Sequence, residues 1–390
     1  MRVAIFTETY LPYLSGVTIS TEALARGLGR AGHEVLLVAP RPKRGADPGT
    51  AGALGPEPAY AWLPSYEPTA LVPPGYRMPI PVAWTAGRRA AIAFAPQIVH
   101  AQSPFASGLL ANEVARRVRA PLVFTHHTRF AEYGHYLGAL AAPATAALDA
   151  HLRRFWTSCA AVVAPSSDLA AELSDRLAAG GPRVRVIPTG IELQVTRGLK
   201  PIDPRPAAGW PADSLVVATL GRLAREKNLD LLLDAFQAAA AAERRLRLVL
   251  IGGGPLEASL RRRVELAGLT SRVHFANKQP HAVALAILKA ADLFAFASQT
   301  ETQGLVLAEA LASGLPIVTL DGPGVADSVR HGIDGLVVHD GAELGRVMGA
   351  LAADPGRRRA MASAARDGSE RFAAQRRVGE MEELYRDLLR

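Results

Sequence analysis

Residues 293–315 read LFAFASQTETQGLVLAEALASGL. The first four are an apolar run short enough for a buried strand. A polar loop follows, and from Gly304 the apolar positions Leu305, Ala308, Ala312 and Leu315 recur at helical spacing. The stretch is therefore one strand–loop–helix unit, and the same unit recurs on both sides of it. Apolar runs at 215–220, 246–251, 272–275, 316–319 and 335–338 read as strands, with a helix at about 229–241 and a last one at about 370–389. Toward the N-terminus, strands are expected at 3–7, 34–38, 98–100, 122–125, 162–164 and 184–187. Helices are expected at about 18–30, 106–117, 144–158 and 168–178. Such alternation predicts α/β domains built on parallel sheets with helices on both faces.

The rhythm breaks twice. Residues 39–81 are dense in Pro and Gly with Tyr60, Trp62, Tyr66 and Tyr76 interspersed, which reads as a long excursion carrying a few short strands. Residues 188–211 hold Pro201, Pro204, Pro206 and Pro211 and read as a linker. The expected domains are 1–190, completed by the C-terminal helix at about 372–390, and 191–371. They would face each other across a cleft, with ligands outside the carboxyl ends of strands.

Composition narrows the classes. The chain has 390 residues, with 44 basic and 36 acidic side chains and a formal charge of +8. At 49% hydrophobic it is too apolar to be disordered. Its one cysteine, Cys159, excludes an internal disulfide and a cysteine-based zinc site, and suggests a reducing compartment. The run at 1–6 ends at Thr7-Glu8, so a first strand is expected there rather than a signal peptide. No stretch approaches the ~18 apolar residues of a spanning helix. Residues 1–188 hold 18 basic and 12 acidic groups, so the first half carries most of the excess charge. Such an excess points to a polyanionic partner: nucleic acid, an acidic membrane surface or a phosphorylated ligand.

Four segments carry chemistry. Glu301 lies in the loop after 293–296, and Glu309 in the early turns of the helix that follows. The backbone N–H groups at Gly304, Leu305 and Val306 would sit at a helix start, which suits a phosphate. The plainer reading is a capped helix with two solvated glutamates. Arg222 and Lys227, in GRLAREKN after strand 215–220, offer a fork and a point charge suited to a diphosphate; the plainer reading is a solvated basic loop. The loop 7–17 ends in Ser15-Gly16 before a helix, so a ligand could approach the backbone closely there. His126 and His127, with Tyr133 beyond, follow strand 122–125. Other patterns mislead. Gly27-x-Gly29-x-x-Gly32 has dinucleotide spacing but closes a helix instead of opening one. Gly252-Gly253-Gly254 lacks the Gly-Lys-Ser/Thr of a phosphate loop. No metal-binding pattern is present.

Taken together and in this order, these segments resemble the family 4 retaining glycosyltransferases, which have the two-domain GT-B fold. The most specific piece is Glu301-x7-Glu309 followed by Ala310-x3-Gly314-x-Pro316; IGGGP at 251–255, APSSDL at 164–169 and IPTGIE at 187–192 agree. The resemblance implies a nucleotide-sugar donor held mainly by the second domain. Arg222 and Lys227 would take the diphosphate and Glu309 the ribose hydroxyls. Glu301 and the backbone at Gly304–Val306 would take the sugar and distal phosphate, and Gly16 would approach the phosphates. His127 would lie beside the sugar and acceptor, and Lys278 in the loop that reads the base. His127 and Glu301 are thus the expected catalytic residues. The chain departs from the pattern at Ser15-Gly16 for paired glycines, at His100-Ala101-Gln102 for His-x-His, and at Asn277 for a glycine.

The resemblance implies front-face displacement without metal or cofactor, in which the leaving phosphate helps deprotonate the acceptor. TETYLPYLSGVTIS and THHTRFAEYGHYL resemble bacterial diacylglycerol glucosyltransferases. The leading expectation is therefore transfer from UDP-glucose to a lipid acceptor such as diacylglycerol, by an enzyme peripheral to the cytoplasmic face of the plasma membrane. Arg153, Arg154 and Trp156, on an amphipathic helix at 144–158, are expected at an anionic lipid surface together with Tyr133; an ordinary packed helix explains the same pattern. A GDP-mannose-dependent mannosyltransferase acting on a phosphatidylinositol-type or soluble acceptor is the enzymatic alternative. A basic nucleic-acid-binding protein is the other, and no nucleic-acid module supports it.

Overall fold

The computed structural model describes residues 1–43, 54–67, 75–80, 84–129, 141–177 and 180–390. Backbone contacts divide the chain into two units, Met1–Glu192 with Phe372–Arg390, and Leu193–Arg371.

The first unit runs β1 (Arg2–Phe6), α1 (Gly16–Arg30), β2 (Glu34–Pro40), β3 (Ala59–Leu63), β4 (Ser65–Tyr66), β5 (Met78–Pro79), α2 (Thr85–Ala93) and β6 (Ile98–Ala101). It continues through α3 (Ala106–Val118), β7 (Leu122–Thr125), α4 (Ala141–Thr157), β8 (Ala161–Ala164), α5 (Ser167–Arg176) and β9 (Arg183–Val186). Among the described residues its main sheet is parallel, in the order β3-β2-β1-β6-β7-β8-β9. Successive β1 side chains point to opposite faces, and both faces are covered. Val3 and Ile5 join an apolar layer with Leu28 of α1, while Ala4 and Phe6 join another with Leu110 and Val114 of α3. That is why the strands read as unbroken apolar runs. The expected excursion at 39–81 supplies β3, which extends the sheet beside β2, and the antiparallel pair β4–β5. The Gly27–Gly32 pattern closes α1, with Ala31 as its C-cap.

The second unit opens with α6 (Leu193–Gly198) and α7 (Pro204–Ala207), so the segment expected as a linker holds two short helices. Asp203 caps α7 by accepting from Arg205 N, and Pro204 occupies the first helical position, where its missing N–H costs nothing. Then come β10 (Leu215–Leu220), α8 (Leu229–Ala242), β11 (Leu246–Ile251), α9 (Glu257–Leu266), β12 (Val273–Asn277), α10 (His281–Leu288) and β13 (Leu293–Phe296). They are followed by α11 (Leu305–Ala312), β14 (Ile317–Leu320), β15 (Gly335–Val338), α12 (Gly341–Ala353) and α13 (Pro355–Gly368). The sheet order is β12-β11-β10-β13-β14-β15 among the described residues, again parallel.

The last helix, α14 (Ala374–Leu388), packs in the first unit. It starts later than its apolar pattern suggests. Ser369–Phe372 forms a 3-10 turn, and then Ile191 N donates to Phe372 O at 2.8 Å and Ala374 N to Ile191 O at 3.0 Å, so Ala373 interrupts the coil before α14 begins. Val378, Met381, Leu384 and Tyr385 then enter the layer that holds Val3 and Ile5. His100 on β6, fully buried, bonds Tyr385 Oη through Nδ1 at 2.5 Å and Thr125 Oγ1 through Nε2 at 2.7 Å. Burial pushes its pKa down to about 3, so this histidine is a neutral core residue.

Tyr385→Phe keeps the ring but strands one nitrogen of His100, which should cost about 1–3 kcal/mol. Tyr385→Ala should cost more, about 3–5 kcal/mol, because a cavity is added. Urea unfolding of the two variants checks this; a Phe variant as stable as the parent would remove the role of the hydroxyl.

Candidate active site

In the second unit the chain builds outward from β10 in one direction (β11, β12) and from β13 in the other (β14, β15). β10 and β13 are neighbours, so the loops that leave their carboxyl ends part and open a crevice. Arg222 and Lys227 lie in the first loop, and Glu301 and Gly304 in the second. The loops grip each other. Ser298 Oγ donates to Glu226 O at 3.0 Å, Thr300 Oγ1 donates to the same oxygen at 3.4 Å, and Lys227 Nζ donates to Glu301 Oε1 at 2.5 Å. That ion pair keeps side-chain exposures of 24% and 15%, so solvent and ligand still reach it. Arg222 is exposed at the rim of a recess of about 260 Å3 that Gly221, Lys227, Ile251 and Phe296 also line. Gly252 lets the loop after β11 pack beneath, since a Cβ there would lie 1.9 Å from Gly221 O.

α11 begins at this edge. Gly304 is its N-cap with φ 70° and ψ 56°, a left-handed conformation that costs a residue with a Cβ about 1–2 kcal/mol. Gly304 has no side chain to cap the helix, and the first-turn N–H groups have no intrahelical acceptor, so Leu305 and Val306 present donors at the positive end of the dipole. Glu309 sits one turn further in. It is 3% exposed, not solvated, and its Oε1 accepts from His281 Nε2 at 2.7 Å. His281, the first residue of α10, was missed by sequence reasoning, although it lies just after β12, where the strand-end rule would have led. Lys278 is exposed after β12, beside Asn277, whose φ is 58° and whose Oδ1 accepts from Arg261 Nη2 at 2.8 Å.

The first unit has its own point of reversal, between β1 and β6. Glu8, in the loop after β1, accepts from Ser107 N at 2.8 Å and Ser107 Oγ at 2.7 Å, which caps α3. Burial raises its pKa despite those bonds. Gly16 is the first residue of α1, and a Cβ placed there would meet no atom within 4 Å. Packing therefore does not demand this glycine, and its backbone stays approachable. β7 ends at Thr125, so His126 and His127 lie past the strand. His126 is buried, and His127, half-buried, bonds Gln102 Oε1 through Nε2 at 2.7 Å. Burial pushes their pKa values down to about 3 and about 4.

The lipid-facing assignment on α4 needs correction. Trp156 is fully buried, between His126 at 5.5 Å and the Arg176 guanidinium at 5.0 Å from the ring centroid, so it is a core residue and not a surface aromatic. Arg153 is exposed but bonded to Asp149 Oδ2 at 2.8 Å and to Arg176 O at 2.6 Å, and Arg154 is exposed. The apolar stripe of this helix faces the sheet. Tyr133 lies outside the described residues. Among the described residues, no helix is long and apolar enough to cross a membrane.

Residues 203–368 match the family described as Glycosyl transferases group 1, and residues 14–195 match Glycosyltransferase Family 4. A GDP-mannose-dependent alpha-mannosyltransferase of Mycolicibacterium smegmatis is 30% identical over 88% of this chain and 86% of its own length. The chain belongs to the family 4 glycosyltransferases. This glycosyltransferase is also 29% identical to an alpha-monoglucosyldiacylglycerol synthase of Streptococcus pneumoniae, over 91% of this chain and 79% of that one. Its fold is similar to that of Anabaena Alr3699/HepE, solved in complex with UDP, with a TM-score of 0.74 and 17% identity over 99% and 100% of the two chains. The architecture is GT-B, two Rossmann-like parallel-sheet domains.

The depressed histidines give the glycosyltransferase a pH signature. His100, His126 and His127 stay neutral when folded but titrate near pH 6.5 when unfolded. The unfolded state then binds more protons, so stability is full above pH 6.5 and falls as the pH drops toward 4. Glu8, with its raised pKa, acts in the opposite direction but is one group against three. Urea midpoints should fall between pH 7.5 and pH 5; a flat profile would contradict neutral burial.

Proposed function

We propose that this enzyme transfers a hexose, glucose by preference, from a nucleotide-sugar to the hydroxyl of a lipid such as diacylglycerol, with retention at the anomeric carbon. The observation that carries this reading is the Lys227–Glu301 pair at the strand reversal, beside the start of α11. The pair matches a donor that brings a diphosphate and a sugar. The diphosphate would draw Lys227 from Glu301 and engage Arg222 and the N–H groups of Gly304–Val306. The released Glu301 would accept from sugar hydroxyls, and Glu309, oriented by His281, from the ribose. Gly16 would face the phosphates, and His127 the sugar and acceptor.

Retention then follows without a covalent enzyme intermediate. The bond from the anomeric carbon to the phosphate oxygen breaks, the acceptor oxygen bonds to the same face, and its proton passes to the leaving phosphate. Stabilising that phosphate is the main task of the site, and fixed donors do it well because they need no reorganisation. Arg222, Lys227 and the helix start supply the positive charge, so we read the reaction as independent of metal and cofactor.

The glucosyldiacylglycerol synthase of Streptococcus pneumoniae, similar over most of both chains, supports the lipid acceptor and the sugar. The mannosyltransferase relative supports GDP-mannose as the second reading. A place on the inner face of the plasma membrane fits a lipid acceptor. Exposed Arg89, Arg116, Arg117 and Arg154, with exposed Phe105 and Leu109, replace the α4 aromatics as the features suited to an anionic lipid surface. Nucleic-acid binding rested on charge alone, and the donor site gives Arg222 and Lys227 a different partner.

Incubation with UDP-[14C]glucose and diacylglycerol vesicles should yield labelled lipid; label from GDP-mannose alone would replace the donor. Glu309→Ala should weaken donor binding about 10- to 100-fold, the worth of charge-assisted hydrogen bonds. Unchanged affinity, measured calorimetrically, would remove the ribose assignment.

A further inference from the structure

β12 ends at Asn277, and α10 begins soon after at His281, whose ring bonds the buried Glu309. The short link between them is stiff. Gln279 donates through its side-chain amide to Ala276 O, and Pro280, the N-cap of α10, holds φ −54° and ψ 143°. The bend itself is Asn277, with φ 58°. Glycine enters that left-handed region freely, and asparagine is among the few residues with a Cβ that tolerate it. The same residue is tied to the recess that Arg222 and Lys227 line. Gly252 N donates to Asn277 O at 3.0 Å, and Gly252 packs against Gly221 in the recess wall. Asn277 therefore stands between the recess on one side and Glu309 on the other.

Arg261 of α9 holds this bend. Its Nη2 donates to Asn277 Oδ1 at 2.8 Å. A guanidinium only donates, so the amide must turn its oxygen to it. Arg261 is itself fixed from two further sides. Nη2 and Nε donate to Glu257 Oε1 at 2.9 and 3.2 Å, and the guanidinium carbon lies 4.3 Å from the centroid of the Phe275 ring. We propose that Arg261 is a positioning residue for the donor: by gripping the side chain of Asn277 it sets the bend that places His281, and through it Glu309, for the nucleoside end of a nucleotide-sugar. The inference rests on the reading that gives Glu309 to the ribose. It also gives the departure from glycine at 277 a purpose. A glycine bend offers Arg261 nothing to hold and samples both signs of φ. An asparagine bend is held before the ligand arrives, so less ordering is left to be done on binding.

Calorimetry on the full chain tests this with three probes: UDP, GDP and inorganic pyrophosphate. Arg261 keeps 43% of its side chain exposed, so its removal leaves the core untouched. Arg261→Ala and Asn277→Gly should each raise the Kd of whichever nucleotide the parent binds more tightly by about 3- to 10-fold, the worth of one partly exposed hydrogen bond to a charged group. Pyrophosphate, which reaches only Arg222, Lys227 and the start of α11, should keep its affinity in both variants. The two substitutions combined should cost no more than the larger one alone, because they remove the same bond. Asn277→Asp keeps an acceptor for Arg261 and should bind as the parent does. An unchanged Kd in Arg261→Ala, single effects that multiply in the double variant, or an equal loss of pyrophosphate would overturn the inference alone. Nucleotide affinity untouched by Glu309→Ala would instead remove the ribose assignment, and the inference with it.

Discussion

A parallel sheet covered on both faces leaves polar chemistry only at its strand ends, and this constraint shapes both halves of the molecule. The central strands are largely apolar because side chains on both faces meet helices, whereas the edge strand β9, RVRV, is mostly exposed. Charged groups that must reach a ligand are displaced to the loops that leave the carboxyl ends. Where neighbouring strands continue in opposite directions, those loops separate and leave room. In the second unit that point lies between β10 and β13, and Arg222, Lys227, Glu301 and Gly304 all follow one or the other of these two strands.

The same constraint explains how the two loops are held together. Lys227 and Glu301 neutralise each other across the crevice, while Ser298 and Thr300 anchor the second loop to the backbone of the first. A partly exposed pair of this kind contributes little to stability, about 0–1 kcal/mol. In the proposed donor complex a diphosphate would offer Lys227 more negative charge than one carboxylate does, which would favour exchange of partners. The pair thus keeps the site ordered without locking it.

Much of this was legible in the sequence. The runs at 215–220, 246–251, 293–296 and 335–338 are the strands themselves, because burial on both faces leaves an unbroken apolar signature. Gly304 was legible as a helix start because the apolar period begins there. β3 was harder to see, since its AYAWL lies inside a Pro- and Gly-rich stretch and only its pairing with β2 defines it. Trp156 was misplaced for a different reason. Periodicity shows that a helix has an apolar face but not whether protein or lipid covers it, and here the sheet does. The bonds from His281 to Glu309 and from His127 to Gln102 were invisible, because 28 and 25 residues separate the partners and only the sheet order brings them together.

The most direct measurement is a crystal structure of the chain with UDP. The account predicts diphosphate oxygens within hydrogen-bonding distance of Arg222, Lys227 and the N–H groups at the start of α11, the ribose on Glu309, and Lys227 parted from Glu301. UDP bound elsewhere, or bound with the Lys227–Glu301 contact intact, would contradict it.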